Sequence, residues 1–268
     1  MMNWMVPVFI AWLVLVVALA ALFWRRQRRG AAAAVIGAGI VIALLLIAVR
    51  SGKTNTASQM ALEEIPVWQV IREQEPAIYS ELNKRVQEME QVGQSQQQII
   101  DLLQTQITAL AMQRLQEAPD DSVVAWMRAS IEQAAQIQKA SGDACFRYLF
   151  PAAKGGIDAA KYLTPTQMQR RFDVDAQMMR AARGAGRHRV SSQERKQARA
   201  ALELVLEHMQ QLYGQDVLLM AAPQQAQGKE SRVCDMVLAF WRQVLALPPE
   251  KAAAIVRQSV TMGATSSH

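Results

Sequence analysis

Nine basic side chains lie in the segment from Arg170 to Arg199 and form the largest group of basic residues in the chain. Only Asp173, Asp175 and Glu194 oppose them, so the segment carries a net charge of +6. Clustered guanidinium and ammonium groups attract phosphates and carboxylates. The segment therefore predicts an anion-binding or partner-binding surface; the alternative is a solvated basic face that pairs with acidic residues elsewhere. The candidate residues are Arg170, Arg171, Arg180, Arg183, Arg187, Arg189, Arg195, Lys196 and Arg199.

The two cysteines of the chain, Cys145 and Cys234, both lie in apolar surroundings, ACFRYLF and VCDMVLAF. In an oxidising compartment, two thiols on different helices can form a structural disulfide. The alternative is a pair of unbonded buried cysteines that behave as small hydrophobic side chains. Cys145 and Cys234 are therefore the disulfide candidates.

An aromatic segment, CFRYLFPAAKGGIDAAKYLTP, begins at the first cysteine and contains two prolines and two adjacent glycines. Its aromatic rings favour a packed corner between helices. The alternative is a rigid loop that presents Arg147, Tyr148 and Lys154 to a partner, because loops on a rigid scaffold often carry binding residues.

Catalytic and metal-binding chemistry finds little support in the sequence. The three histidines, His188, His208 and His268, have no metal-ligand spacing to a cysteine or carboxylate. No G-x-S-x-G motif, phosphate loop or dinucleotide fingerprint occurs. We therefore expect no catalytic residue, no bound metal and no cofactor, and an enzyme would need a site assembled from dispersed residues.

Charge is unevenly distributed along the chain, and this separates an N-terminal segment from the part that carries the candidate residues. Residues 1–53 contain six basic residues and no Asp or Glu, whereas the remaining 215 residues carry 23 basic and 23 acidic side chains. The formal net charge of +6 thus comes wholly from the N-terminal segment. It does not indicate a nucleic-acid-binding domain, although basic proteins often invite that interpretation.

Two uncharged apolar runs, at about residues 5–24 and 31–49, predict a transmembrane helical hairpin over residues 1–50. Each run of about 20 residues forms a helix about 30 Å long, which matches the hydrocarbon core of a bilayer. Lipid offers no hydrogen bonds to the backbone, so both runs should be helical. The positive charge follows the first run and does not precede it, which argues against a cleaved signal peptide.

The connector between the two runs predicts the orientation of the hairpin. It holds four arginines, whereas the N-terminal tail holds no basic residue. Arginines that flank membrane spans stay in the cytoplasm. We therefore predict a bacterial inner-membrane protein whose N-terminus and C-terminal domain are periplasmic, although Arg50 and Lys53 weaken the bias. The topology-determining residues are Arg25, Arg26, Arg28 and Arg29.

Beyond the hairpin, the sequence predicts an all-α fold. Residues 51–60 are small and polar and predict a linker, residues 61–262 a helical extracytoplasmic domain, and residues 263–268 a disordered tail. Apolar residues recur at helical spacing, without the alternation typical of strands. The helices are expected at about 67–72, from 76, 99–111, from 121 or 122 to 141, 193–213, 231–246 and 250–260.

These features predict a membrane-anchored binding or scaffolding module. Its expected partners are the lipid bilayer and an envelope polymer or a membrane protein, contacted through the basic surface, and small residues in the hairpin allow a homo-oligomer. One alternative is a cytoplasm-facing membrane-tethered regulator that binds protein or nucleic acid; nucleic acid is expected only if the topology is inverted. A second alternative is an envelope hydrolase or transferase with an unrecognised site.

Overall fold

The computed structural model describes residues 65–265, and every regular element in this part is helical. The predicted all-α fold is confirmed for these residues. The predicted hairpin over residues 1–50 and the linker over residues 51–60 lie outside the described residues. Within residues 65–265, no helix combines the length and the apolar character that a membrane crossing requires.

Ten α-helices make up the described chain, together with three short 3-10 helices. The α-helices are α1 (Pro66–Gln74), α2 (Pro76–Gln91), α3 (Gln96–Glu117), α4 (Asp120–Ala140), α5 (Gly142–Leu149), α6 (Pro151–Lys154), α7 (Pro165–Ala181), α8 (Ser192–Tyr213), α9 (Glu230–Leu245) and α10 (Pro249–Thr265). The 3-10 helices span Ala159–Lys161, Gly214–Met220 and Pro223–Gln225.

Local sequence explains where several helices begin. Helices α3, α7 and α8 each start at a reciprocal capping box, in which the cap hydroxyl and the side chain three residues later satisfy backbone N–H groups. Helix α4 starts at Asp120, after Pro119, and not at the predicted cap at residue 121 or 122. Its first turn carries two aspartates, which interact favourably with the positive end of the helix dipole. Helix α10 continues to Thr265, so the predicted boundary at residue 262 falls inside a helix.

Helix α4 is the centre of the domain. It packs against α5, α7, α9 and α10, and Trp126, Met127, Ala134 and Ile137 are nearly or fully buried along it. Helix α1 packs on α7 and on α2. Helix α8 packs mainly on α10, on the 3-10 helix Gly214–Met220 and on α9, and only Ala198, Val205 and Met209 of its 22 residues are buried. Helix α8 therefore lies at the edge of the domain with most of its surface open.

A disulfide joins α5 to α9 close to this centre. Cys145 and Cys234 are bonded, their Cα atoms are 5.9 Å apart, and both residues are fully buried. The predicted disulfide is therefore confirmed. The two helices approach closely: a Cβ atom added at Gly142 would lie 2.6 Å from the Cβ of Ser231. Glycine at residue 142 thus permits the close packing of α5 against α9, the two helices that the disulfide joins.

Candidate anion-binding surface

The nine predicted basic residues lie on α7, on the loop that follows it and on the first turns of α8. The structure separates them into two groups. The first group contacts acidic side chains and comprises Arg170, Arg171, Arg180, Arg183 and Arg187. The second group consists of exposed residues whose side chains have no ion-pair or hydrogen-bond partner among the side chains and backbone that the structure describes, and it comprises Arg189, Arg195, Lys196 and Arg199.

Arg171 is buried in the core, with only 1% of its surface exposed. Its Nη2 lies 2.9 Å from Oδ1 of Asp175, and its Nε donates to Oδ2 of the same residue at 3.1 Å. Its Nη1 donates to the hydroxyl of Ser130, and its guanidinium lies over the ring of Trp126. Burial raises the pKa of Asp175, while Arg171 opposes that rise. The prediction that Arg171 belongs to an accessible anion-binding surface is therefore wrong, because its helix turns it towards an internal carboxylate one turn away.

The arginines of the α7–α8 loop tie that loop to the C-terminal end of α3 and to the α1–α2 junction. Arg183 lies 3.0 Å from a carboxylate oxygen of Glu117 and 3.1 Å from one of Glu75. Arg187 lies 2.6 Å from the other oxygen of Glu117. The charges of Arg183 and Arg187 are therefore neutralised by carboxylates of the same domain. Two further pairs are weaker in geometry and more exposed, Arg170 with Glu132 at 3.4 Å and Arg180 with Glu73 at 3.3 Å.

Arg114, beneath the loop, is an anchor that sequence analysis missed. It is fully buried, and it donates to the carbonyl of Met179 at 3.0 Å, to Gln74 at 2.8 Å and to Glu75 at 2.5 Å. Burial alone would raise the pKa of Glu75, but hydrogen bonds from Arg183 and Arg114 outweigh that effect and hold it below its usual value. The carboxylate of Glu75 is therefore ionised at neutral pH and joins α3 to the loop.

Arg257 on α10 is the second missed anchor. It is 1% exposed, and it donates to the carbonyl of Ala118 at 2.6 Å. Its guanidinium also lies 2.8 Å from Asp120 and 3.1 Å from Glu194. His188 contacts the same region, because its Nε2 lies 2.8 Å from Glu194. These contacts hold the first turn of α8 in a defined position on the body of the domain.

The four exposed residues project from this fixed base. Arg195, Lys196 and Arg199 lie on the first two turns of α8, within about 100° of its circumference. Arg189 precedes the cap residue Ser191 by two positions. Arg195 and Arg199 are like charges four residues apart, a spacing that costs an isolated helix about 0.2–0.5 kcal/mol. Folding therefore gains nothing from this arrangement of charges.

Four other exposed cations also have side chains with neither an ion-pair nor a hydrogen-bond partner in the described part of the chain, but they are dispersed. Arg128, Lys161, Arg242 and Lys251 lie on four different elements. We define the exposed basic cluster as Arg189, Arg195, Lys196 and Arg199, since they alone among the predicted residues combine exposure, proximity in sequence and lack of a described acidic partner.

The aromatic corner after Cys145 is occupied by internal contacts. Arg147 donates to the carbonyl of Gly156 at 2.7 Å, and the hydroxyl of Tyr148 donates to Gln133 at 3.0 Å. Lys154 lies 2.6 Å from Asp143 and 2.8 Å from Glu230, contacts that raise its pKa. These side chains hold α5, α6 and α9 together.

Within residues 65–265, no group of three or more His, Cys, Asp or Glu side chains is arranged to hold a metal ion. Comparison of the chain with protein-family models, with curated proteins and with solved structures found no match.

Proposed function

We propose that the chain is a membrane-tethered helical module that binds an anionic component of the bacterial envelope through the exposed basic cluster. The apolar runs at residues 5–24 and 31–49 would tether it to the inner membrane, and residues 65–265 would face the periplasm. The phosphate groups of envelope lipids or of lipopolysaccharide are the ligand chemistry that clustered guanidinium groups favour.

One observation carries this proposal. Of the nine basic residues between Arg170 and Arg199, five have acidic partners within the domain and four have none in its described part. Arg257, which contacts Glu194 and the carbonyl of Ala118, holds the first turn of α8 in place. A rigid base lowers the entropy that must be lost when a ligand binds. The four side chains are therefore available, and the start of α8, which carries three of them, is held in position on the domain.

The disulfide supports an extracytoplasmic position for the domain. Disulfides persist in oxidising compartments such as the periplasm and are rare in the bacterial cytosol. This favours an envelope anion over a nucleic acid as the ligand. The four arginines of the connector at residues 25–29 support the same orientation.

The proposal can be tested with the full chain in phosphatidylcholine nanodiscs. Binding is measured to phosphatidylglycerol vesicles, to purified lipopolysaccharide and to phosphatidylcholine vesicles as the uncharged reference. We expect binding to at least one phosphate-bearing probe that weakens with added salt, because exposed charges are screened. Replacing all four cluster residues by Gln should weaken it by two to three orders of magnitude, at about 1 kcal/mol per basic residue near an anionic surface. The two anionic probes separate a lipid ligand from a lipopolysaccharide ligand.

A matched control replaces Arg128, Lys161, Arg242 and Lys251 by Gln. It removes the same number of positive charges from exposed positions that are dispersed over four elements. If both quadruple variants weaken binding equally, net charge alone drives it and the proposed site is refuted. A wild-type protein that binds neither of the two anionic probes would also refute the proposal.

A further inference from the structure

His188 lies between two carboxylates in the loop that leads into α8. Its Nε2 lies 2.8 Å from Oε2 of Glu194 on the first turn of α8. Its Nδ1 lies 3.8 Å from Oδ1 of Asp120 on the first turn of α4. The side chain of His188 stays 23% exposed, so the ring can exchange protons with the solvent. Each ring nitrogen therefore faces a carboxylate on a different helix.

A neutral ring can donate a hydrogen bond to only one of these carboxylates. Neutral imidazole carries a single N–H group, and the carboxylate of Glu194 at hydrogen-bond distance places that group on Nε2. Nδ1 then turns a lone pair towards Asp120. Oδ1 of Asp120 is buried and accepts no hydrogen bond from the residues that the structure describes, although Nη2 of Arg257 lies 2.8 Å away. Protonation of Nδ1 would direct a second N–H group towards this oxygen.

The charges around the ring balance only when His188 is protonated. Asp120 and Glu194 contribute two negative charges. Arg257 of α10 contributes one positive charge, since its guanidinium contacts both carboxylates. With a neutral ring the group has a net charge of −1, and with an imidazolium its net charge is zero. The added proton therefore enters a site that already holds an excess of negative charge.

The loop that carries His188 also carries part of the exposed basic cluster. The backbone N–H of His188 donates to the carbonyl of Glu117 at 2.7 Å. The carboxylate of Glu117, at the end of α3, is paired with Arg183 and Arg187 of the same loop. Arg189 follows His188 directly and is exposed. The position of His188 therefore affects the positions of Arg189 and of the start of α8.

We infer that protonation of His188 strengthens anion binding by the exposed basic cluster, an inference that rests on the proposed function. Histidine is the side chain whose charge ordinarily changes between pH 5 and pH 8. At mildly acidic pH, the imidazolium bridges Asp120 and Glu194 and so joins the loop and the first turn of α8 to the start of α4. The same proton adds a positive charge next to Arg189. Both effects favour a phosphate-bearing ligand.

The experiment measures binding of the full chain in phosphatidylcholine nanodiscs at pH 8 and at pH 5.5, at one ionic strength. The probes are phosphatidylglycerol vesicles and purified lipopolysaccharide. The quantity compared is the ratio of the two affinities on one probe. This ratio should be about fivefold higher for the wild type than for His188→Gln, the effect of one positive charge near an anionic surface. Comparison on one probe removes any change in the charge of the probe itself.

The matched control is His208→Gln, which replaces an exposed histidine further along α8. It should keep the wild-type ratio, because His208 lies outside the group around His188. Equal ratios for the wild type and His188→Gln would overturn the inference and leave the proposed function intact, as would a ratio that His208→Gln lowers by the same amount. A wild type that binds neither probe at either pH would refute the proposed function and the inference together.

Hydrogen exchange of the wild-type protein tests the bridge without a variant. After correction for the intrinsic effect of pH on exchange, the backbone amides of residues 188–194 should exchange at least threefold more slowly at pH 5.5 than at pH 8. The reason is that the added contact opposes local opening of the loop and of the first turn of α8. The amides of residues 127–137 in α4 are the reference and should be equally protected at both pH values. Unchanged protection of residues 188–194 would overturn the bridge and with it the inference.

Discussion

Removal of the disulfide should have a large and calculable effect on stability. The bond joins residues separated by 89 positions, so reduction frees a closed loop of about 90 residues in the unfolded chain. The loop-closure relation gives an entropy of about −15 cal/mol/K, or about 4.6 kcal/mol at 25 °C. Replacing both Cys145 and Cys234 by Ala also removes two fully buried sulfur atoms, which adds about 1 kcal/mol of lost packing. The expected loss is therefore about 4–6 kcal/mol.

The assay is equilibrium unfolding of the full chain in urea, followed by far-ultraviolet circular dichroism in detergent micelles. The reduced wild-type protein is the matched control, because it lacks the crosslink and keeps both sulfur atoms. It should lose nearly as much free energy of unfolding as the double Ala variant. A loss below about 2 kcal/mol in both proteins would refute the reasoning, since the unfolded chain would then gain little freedom from the open loop.

Three further changes test the packing of the domain. Arg257→Leu should lower the free energy of unfolding by roughly 2–4 kcal/mol in the same urea assay. The change leaves the carboxylates of Glu194 and Asp120, which are 18% and 30% exposed, without their buried cation. An unchanged free energy of unfolding would contradict the anchoring role of Arg257. Gly142→Ala should lower the free energy of unfolding by about 1–3 kcal/mol, since the new Cβ would clash with the side chain of Ser231, and Ser231→Gly should recover part of the loss. The pKa of Glu75 is lower in the folded protein than in the unfolded chain, so its ionised carboxylate stabilises the fold at neutral pH. This stabilisation is lost as the pH falls through the lowered pKa. Between about pH 6 and pH 3, the wild type should therefore lose more stability than Glu75→Gln, and parallel pH profiles would exclude this contribution.

Several elements could be predicted from local sequence because their signals are local. Helix α8 was expected at 193–213 and spans Ser192–Tyr213, since a capping box and an apolar stripe both mark it. Helix α9 was expected at 231–246 and spans Glu230–Leu245. The disulfide could be predicted because the chain has only two cysteines.

Helices α5 and α7 were not predicted, although α7 has a local signal. Thr164 and Gln167 form its capping box and Pro165 lies in its first turn, but the many basic and polar residues that follow obscure the apolar period. Helix α5 is only eight residues long, so it holds too few apolar positions for a period to emerge.

The division of the basic residues could not be predicted, because most of their partners are distant in sequence. Arg183 and Glu117 are 66 residues apart, and Arg257 and Ala118 are 139 residues apart. Such pairs depend on how α3, α7, α8 and α10 pack. Arg171 is the exception, since its partner Asp175 lies only four residues away on the same helix.

Under the proposed membrane attachment, the side of the membrane that residues 65–265 face would determine which anions the exposed basic cluster meets. A single reactive cysteine at an exposed position, Gln177→Cys, reports that side directly, because the native cysteines are bonded and buried. Gln27→Cys, between the connector arginines, is the matched probe for the opposite side. In intact spheroplasts, a membrane-impermeant maleimide should label Gln177→Cys, and it should label Gln27→Cys only after the membrane is permeabilised. Labelling of Gln27→Cys with protection of Gln177→Cys would place the helical domain in the cytoplasm and contradict the proposed envelope function.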